Sequence, residues 1–275
     1  MKKIIAIQGA EGSNHHKVAR DFYGEDVALK ECFSFDALVD SLLDKTSDKG
    51  IMAIENTIAG SIIPNYALID ANNLHICGEQ YLNIHHHLMA LPGQKIEDIT
   101  EVCSHPMALL QCKEFFKKYP QIKLVEDFDT AEVAKIISQK KLLGVAAIAP
   151  KIAAEIFGLE VLEDEIQTVK DNSTRFVIVQ TEKPNNGINE VNKASLKFQL
   201  DHKRGSLAAI LNVLSDCKMN LTKIQSLPVI ESPWKYSFFV DLTFDTYEDY
   251  KKAIEIIEIM ASAFKVLGVY KNGRK

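Results

Sequence analysis

The sequence predicts an α/β protein in two parts, a largely parallel α/β part over residues 1–180 and a smaller βαββαβ part over residues 194–275. In the first part, short apolar runs alternate with amphipathic helical patterns, which is typical of parallel sheets with crossover helices. A polar segment at 181–193 then separates it from a different rhythm of strands and helices. The order βαββαβ is that of ferredoxin-like folds.

Most of the predicted strands in the first part run directly into the start of a helix. Asp129 and Glu132 have the spacing of a capping box, and Gly158 is placed to end a helix. We expect two sheets, the second opening with 82–91. The apolar runs of this part lie at 4–8, 50–54, 101–103, 123–127 and 143–149. In the second part, we predict strands at 194–200, 221–230, 235–244 and 265–270, and helices at 205–219 and 246–264.

Composition excludes several classes of function. The chain has 275 residues with a formal net charge of −5, so it lacks the basic footprint of a nucleic-acid partner. No apolar stretch approaches the ~20 residues needed to span a membrane. Five scattered cysteines without a C-x-x-C pair indicate reduced thiols and a cytoplasmic protein. His85 and His87 would share a face of a strand, but they lack a third metal ligand at a useful spacing, so we expect no metal.

Ligands of open α/β sheets gather beyond the carboxyl ends of the strands, where helix N-termini attract anions. Polar residues follow the predicted strands at four such corners. Each has a structural alternative, because Ser13 and Asp129 also suit helix caps and Glu55 with Asn56 also suits a polar loop. The four corners are 9–13, 54–61, 104–106 and 129–130.

Two further segments carry candidate site residues. Thr174 and Arg175 open an apolar strand and point to opposite faces if that strand is regular. An arginine there suits a carboxylate, although a solvated strand end is the alternative. Gln111 shares a helix face with Ser104, but two turns separate them by about 10 Å. Gln111 therefore either contacts the ligand or supports a residue that does.

Five segments with recognisable motifs occur in a fixed order along the chain: IQGAEGSNHHKVA, AIENTIAGSI, CGEQYLNIHHHLM, CSHPMALLQC and the stretch from AAIAPKIAAEIFGL to NSTRF. Together they resemble one family, the prephenate dehydratases. The sequence departs from the family pattern at Ala10, where proline is usual, and at Met107, where glutamine is usual. Three segments near the C-terminus, GSL, MNLTKIQSLP and YSFFVDL, are similar to the ACT regulatory domain that follows in this family.

The resemblance implies a catalytic part of two lobes, similar to periplasmic binding proteins, with the site in the cleft between them. Lobe one would take residues 1–79 and 160–180, and lobe two 80–159, followed by the linker 181–193 and the ACT domain 194–275. The implied reaction is the decarboxylation of prephenate with loss of its ring hydroxyl, which gives phenylpyruvate and needs no cofactor. We expect no fused chorismate mutase domain.

The resemblance also implies roles for individual residues. Thr174 would serve the leaving hydroxyl as donor or relay, and Glu55 and Asn56 would join it as catalytic residues. The implied substrate-binding residues are Arg175, Ser104, Gln111, Ser13 and Thr130. Arogenate dehydratase, or a non-catalytic sensor of small anions, is the alternative.

The ACT segments imply regulation by L-phenylalanine and a homodimer or homotetramer paired through these domains. Gln225 and Leu227 stand where the family has Glu and Arg, which leaves the affinity and the sign of the effect open. The implied effector residues are Gly205, Ser206, Leu207, Asn220, Leu221, Gln225 and Ser226.

Overall fold

The structure is a computed structural model that describes residues 2–184, 187, 190–200, 203–229 and 235–274. Its contacts divide the chain into two compact units. The first contains Met1–Asn65 and Gln80–Phe176, and the second contains Tyr66–Glu79 and Val177–Lys275. The second unit thus takes in a segment from the predicted catalytic part, and the predicted domain boundaries stay predictions.

The predicted helices and strands occur in the predicted order, but the structure also has elements that the sequence analysis did not predict, chiefly a strand at 28–32, a helix at 35–43 and a strand at 75–83. The strands are β1 (Ile4–Gln8), β2 (Ala28–Cys32), β3 (Lys49–Asn56), β4 (Gly60–Ser61), β5 (His75–Asn83), β6 (His87–Ala90), β7 (Glu101–Ser104), β8 (Lys123–Glu126), β9 (Val145–Ala149), β10 (Glu160–Glu163), β11 (Ser173–Gln180), β12 (Lys193–Gln199), β13 (Asn220–Pro228), β14 (Tyr236–Thr243) and β15 (Ser262–Tyr270). The helices are α1 (Asn14–Tyr23), α2 (Phe35–Leu43), α3 (Ile63–Ala71), α4 (Pro106–Phe116), α5 (Thr130–Lys140), α6 (Lys151–Phe157), α7 (Ser206–Asp216) and α8 (Tyr247–Met260).

Three sheets organise these strands. The first has the order β2-β1-β3-β11-β5, with β4 on β3, and β1 pairs in parallel with both of its neighbours. The second has the order β10-β6-β9-β7-β8, in which β7 is parallel to β8 and β9 while β6 is antiparallel to β9 and β10. The predicted α/β class with two sheets is confirmed, but the second sheet is mixed, with two parallel and two antiparallel pairings. In the first sheet, β4 pairs with β3 in the antiparallel direction.

The passage between these two sheets differs from the prediction. The apolar run 82–91 is divided, because β5 ends at Asn83 in the first sheet and β6 starts at His87 in the second. The return predicted near Leu159 comes only after Glu163, because β10 pairs with β6 in the second sheet. Periodicity alone does not show which sheet an apolar strand joins.

The third sheet confirms the predicted βαββαβ arrangement. Its order is β13-β14-β12-β15 with antiparallel neighbours, and α7 and α8 supply Ile210, Leu214, Ala253 and Ile257 to its core. Part of the predicted strand 221–230 and part of the predicted linker lie outside the described residues. None of the helices in the described ranges is long and apolar enough to cross a membrane.

Candidate active site

A cavity of about 290 Å³ opens in the first unit. Residues from the ends of β1 and β3, the start of β11 and the segment 84–86 line it. Three helices begin at this cavity. Its lining includes the N-cap Ser13 and the first residue Asn14 of α1, Met107 in the first turn of α4, and Thr130, the first residue of α5. We call this cavity the cleft.

Each of the three helix N-termini is capped by a side chain. Ser13 Oγ accepts a hydrogen bond from His16 N at 3.3 Å, and His105 Nδ1 accepts one from Met107 N at 3.2 Å. Asp129 Oδ1 accepts from the amides of the second and third residues of α5, both at 2.9 Å. Capping is therefore the observed contact of Ser13 and Asp129. The remaining amides and the partial positive charge of three helix ends make the cleft attractive to anions.

A continuous chain of hydrogen bonds forms one wall of the cleft. Asn56 Nδ2 donates to Thr174 Oγ1 at 2.9 Å and to Asn172 Oδ1 at 2.7 Å. Asn172 Nδ2 donates to Gln111 Oε1 at 2.9 Å, and the same oxygen lies 2.9 Å from His86 Nε2. All five residues line the cleft, so its polar wall joins the strand β11 to the helix α4.

Two backbone amides determine the direction of every bond in this chain. Asn56 Oδ1 accepts from Ile58 N at 2.9 Å and from Ala59 N at 2.8 Å, and an amide N–H can only donate. The Asn56 Nδ2 group must therefore face Asn172 and Thr174. Asn172 Oδ1 therefore accepts from Asn56, and Asn172 Nδ2 donates to Gln111 Oε1. Because the same Gln111 oxygen can only accept, His86 Nε2 must carry a hydrogen.

The two ends of the chain are left with opposite hydrogen-bonding character. Thr174 Oγ1 already accepts from Asn56, so its own hydrogen is available to donate. In a neutral His86 ring, the hydrogen on Nε2 leaves Nδ1 with a lone pair. Within the described part of the chain, His86 Nδ1 is buried and has no hydrogen-bond partner. Burial lowers the pKa of His86, and the hydrogen bond that its ring donates to Gln111 partly opposes that shift.

The opposite part of the cleft is aromatic. The His15 ring packs edge-on against Phe176, with ring centroids 5.0 Å apart, and lies 5.6 Å from the ring of Phe35. Burial lowers the pKa of His15 to about 3, so this ring is neutral near pH 7. The lining of the cleft therefore includes an aromatic cluster as well as the polar wall.

The structure brings five of the predicted site residues together and separates three others from them. The residues that line the cleft are Thr174, Asn56, Gln111, Ser13 and Thr130. The residues that do not line it are Glu55, Arg175 and Ser104.

A physical reason explains why each of these three residues does not line the cleft. Ser104 is fully buried and donates its hydroxyl to Ile148 O at 2.7 Å on the neighbouring strand, so its contact is structural rather than with a ligand. Glu55 directly precedes Asn56 on β3, and Arg175 directly follows Thr174 on β11. Because side chains alternate between the two faces of a strand, neither residue is expected to share the face of its neighbour. Arg175 is 3% exposed, and a role for it or for Glu55 stays a prediction.

Sequence reasoning missed the roles of several residues that line the cleft, chiefly Asn172, His86 and His15. Asn172 and His86 lie inside quoted family motifs, so position in a motif was an available signal. His15 also lies inside one of these motifs, IQGAEGSNHHKVA, and its packing against Phe176 shows its place in the structure.

Each of the two histidines next to His86 lies beside a carboxylate. His85 Nδ1 lies 3.3 Å from Glu165 Oε1, and His87 Nδ1 lies 2.9 Å from Asp164 Oδ1. Over the residues that the structure describes, no group of three or more His, Cys, Asp or Glu side chains is placed to hold a metal ion.

The predicted effector residues lie in the second unit. Gly205 has a φ of +81° and precedes α7, which begins at Ser206 and includes Leu207. The other four lie on β13, which is at the edge of its sheet: Asn220, Leu221, Gln225 and Ser226. Their binding of an effector stays a prediction.

The sequence model of the family described as prephenate dehydratase matches residues 5–184 of this chain. The chain belongs to the prephenate dehydratase family. A relative from Arabidopsis thaliana, arogenate dehydratase/prephenate dehydratase 2, is 35% identical over 276 residues that cover 97% of this chain and 72% of the relative. Membership places the chain among the dehydratases, which are lyases.

Solved structures extend the similarity to the full fold. The prephenate dehydratase of Staphylococcus aureus subsp. aureus Mu50 matches with a TM-score of 0.83 and 25% identity over 97% of this chain and 99% of its own. GqqA, described as a novel type of quorum quenching acylases, matches with a TM-score of 0.86 and 25% identity over 98% of both chains. The dehydratase family thus shares its architecture with a protein of another described activity, and fold alone does not decide the reaction.

Proposed function

We propose that this chain is a prephenate dehydratase, a carbon–oxygen lyase that converts prephenate to phenylpyruvate in L-phenylalanine biosynthesis. The observation that carries the proposal is the direction of the hydrogen bonds at Thr174. Because Thr174 Oγ1 accepts from Asn56, its own hydrogen is available to donate to a ligand. A hydroxyl donor in an apolar, anion-attracting cleft is what a leaving ring hydroxyl requires.

The proposed reaction breaks two bonds of the substrate. The bond between the ring and its carboxylate breaks to release CO₂, and its electron pair enters the ring, which becomes aromatic. The C–O bond of the ring hydroxyl breaks at the same time, and the departing oxygen takes a proton and leaves as water. The driving force lies in the substrate, so the protein contributes positioning and a hydrogen-bond donor at the leaving oxygen.

Thr174 acts at that oxygen in this proposal, and Asn56 keeps its hydroxyl in the donating orientation. The helix N-termini at Ser13 and Thr130 bind substrate carboxylates through their backbone amides and dipoles. Arg175 and Glu55, which lie outside the cleft lining, remain candidates for roles at a substrate carboxylate and as acid or orienting group.

Arogenate is the second candidate substrate. It differs from prephenate by an amino group in place of the keto oxygen of the side chain, and the Arabidopsis relative is named for both activities. Comparing kcat/KM for the two compounds decides between them.

The test of the reaction is an assay of purified protein with prephenate and no added metal or cofactor. We expect phenylpyruvate to form, and folded protein without product would contradict the proposal. Thr174→Val keeps the shape of the side chain and removes its hydroxyl, so we expect kcat to fall by roughly 10²–10⁴-fold. Thr174→Ser is the matched control, which retains the hydroxyl and should keep most of the activity.

Regulation, assembly and location are further parts of the proposal. The ACT arrangement pairs two or four copies through the third sheet and binds L-phenylalanine, in a cytoplasmic enzyme. The same assay run with and without millimolar phenylalanine, alongside the oligomer size by light scattering, tests this. An unchanged rate and size would contradict feedback by phenylalanine.

A further inference from the structure

The cleft lacks the side chains that normally neutralise a doubly negative substrate. Among the described residues that line it there is no lysine or arginine, and Asp129 is the acidic one. Its titratable bases are three histidines, His15, His86 and His105. A substrate with two carboxylates still needs positive partners, and the helix N-termini supply only fractions of a charge.

The three histidines differ in what they can offer. His15 also has a buried ring nitrogen, Nε2, without a partner among the described residues, but its ring packs against two aromatic rings and burial lowers its pKa to about 3. His105 accepts a hydrogen bond at Nδ1 from Met107 N and serves as the cap of α4. His86 is held through Nε2 by Gln111 and has a buried Nδ1 without a partner among the described residues. It is also 6% exposed, so bulk water screens it little.

We propose that His86 is a further substrate-contacting residue, whose Nδ1 takes a proton when an anionic ligand binds and donates it to a ligand carboxylate. The inference rests on the proposed function, because it needs a carboxylate ligand in the cleft. The hydrogen-bond chain requires Nε2 to keep its hydrogen, so Nδ1 is the nitrogen that must change. The new N–H bond forms with a proton from the solvent, and no proton is taken from the ligand.

The surroundings of His86 keep the ring neutral until the ligand arrives. Burial lowers the pKa of His86, and the flanking His87 and His85 lower it further, while each of these two is itself paired with a carboxylate, Asp164 and Glu165 respectively. The other titratable residues that line the cleft are His15, His105 and Asp129, and Asp129 accepts hydrogen bonds from two backbone amides. A carboxylate bound near Nδ1 favours the charged ring, and an opposite charge at such range commonly raises a pKa by about 1–3 units.

Chemistry selects which carboxylate His86 contacts. The ring carboxylate must leave as CO₂, and a cation paired with it would stabilise the ground state more than the transition state. The carboxylate of the pyruvyl side chain keeps its charge throughout. His86 therefore pairs with the side-chain carboxylate, which the product phenylpyruvate retains.

Calorimetry of phenylpyruvate binding tests the proposal on the full-length protein. Titrations at one pH in phosphate and in Tris, which differ in ionisation enthalpy, measure the protons taken up on binding. We expect uptake that approaches about one proton per site at a pH between the free and bound pKa values of His86. In that window the affinity should fall as the pH rises, because each step up in pH makes the proton harder to acquire.

His86→Gln is the decisive variant, because its side-chain amide can still donate to Gln111 but cannot be protonated near neutral pH. We expect it to lose the proton uptake, to bind phenylpyruvate about tenfold more weakly, and to lose the pH dependence of affinity. His85→Gln is the matched control: His85 is the preceding residue and does not line the cleft, so the proton uptake should persist.

Each other outcome contradicts the proposal. If His86→Gln still takes up a proton on binding, another group is responsible and the inference is wrong. If the unmodified protein turns over prephenate but binds phenylpyruvate without proton uptake, the inference fails while the proposed function stands. If it neither turns over prephenate nor binds phenylpyruvate, both fail together.

Discussion

Asn56 is the residue on which the polarity of the site depends. Its side-chain oxygen accepts from the amides of Ile58 and Ala59, and its nitrogen donates to Thr174 and Asn172. The sequence predicted Asn56 as a catalytic residue without indicating this function. The structure suggests that it orients another group, which makes it a positioning residue.

Asn56→Asp tests whether Asn56 orients the Thr174 hydroxyl, separately from any contribution to folding. The two amide hydrogen bonds to the side-chain oxygen are kept, but an oxygen replaces the nitrogen that faces Thr174. The threonine hydroxyl then donates to the new carboxylate instead of the substrate. We expect kcat to fall about as far as in Thr174→Val, roughly 10²-fold or more, with a near-normal melting temperature.

A double variant checks the mechanism of that loss. If Asn56 acts through Thr174, the combination Asn56→Asp with Thr174→Val should be little worse than either change alone. If the two losses in kcat instead multiply in the double variant, Asn56 contributes to the reaction independently of Thr174.

At the scale of elements, α5 shows how one residue can serve both a helix and a site. Asp129 caps the helix through the amides of Ala131 and Glu132, and burial raises the pKa of its carboxyl group. Gly9 makes this approach possible, since a Cβ there would lie 2.6 Å from Asp129 Oδ2 and its φ is +89°. The predicted cap is confirmed, and it places the first turn of α5 at the cleft.

Asp129→Ala should therefore destabilise the protein by about 0.5–2 kcal/mol, the usual loss for a helix cap. Asp129→Ser is the matched control, because a serine oxygen can accept from the same amides, and we expect it to recover most of the stability. Chemical denaturation measures both. Equal losses in the two variants would show that capping is not the contribution of Asp129.

At the scale of the whole molecule, a buried ion pair within the second unit stands out. Lys193 Nζ lies 2.9 Å from both carboxylate oxygens of Glu79, and the two side chains are 2% and 0% exposed. Gly273 N also donates to Glu79. The pair joins β5 to β12, so two segments distant in sequence depend on each other.

Removing one partner of this pair should be costly. Lys193→Met leaves a buried carboxylate without its ammonium partner, and we expect a loss of about 3–5 kcal/mol in the free energy of unfolding. Adding Glu79→Gln should restore part of it. Lys117→Met, which breaks the exposed pair with Glu114, is the control and should cost less than about 1 kcal/mol. Similar losses in both variants would contradict this account of burial.

Local patterns determined much of this protein. Apolar periodicity predicted the α/β class and the βαββαβ part, because strand and helix repeats are local properties of the chain. Ordered motifs indicated the family and directed attention to Thr174, Asn56 and Gln111, which meet in the cleft.

Only the tertiary structure decided how these residues act. Thr174 and Arg175 are neighbours on one strand, but Thr174 lines the cleft and Arg175 does not. Ser104 donates its hydroxyl to a backbone carbonyl of the neighbouring strand. The hydrogen-bond chain joins residues more than 100 positions apart, since Asn56 reaches Thr174 at a separation of 118. Sequence determines which groups are available, whereas long-range pairing determines the direction of each hydrogen bond and leaves His86 Nδ1 buried without a partner among the described residues.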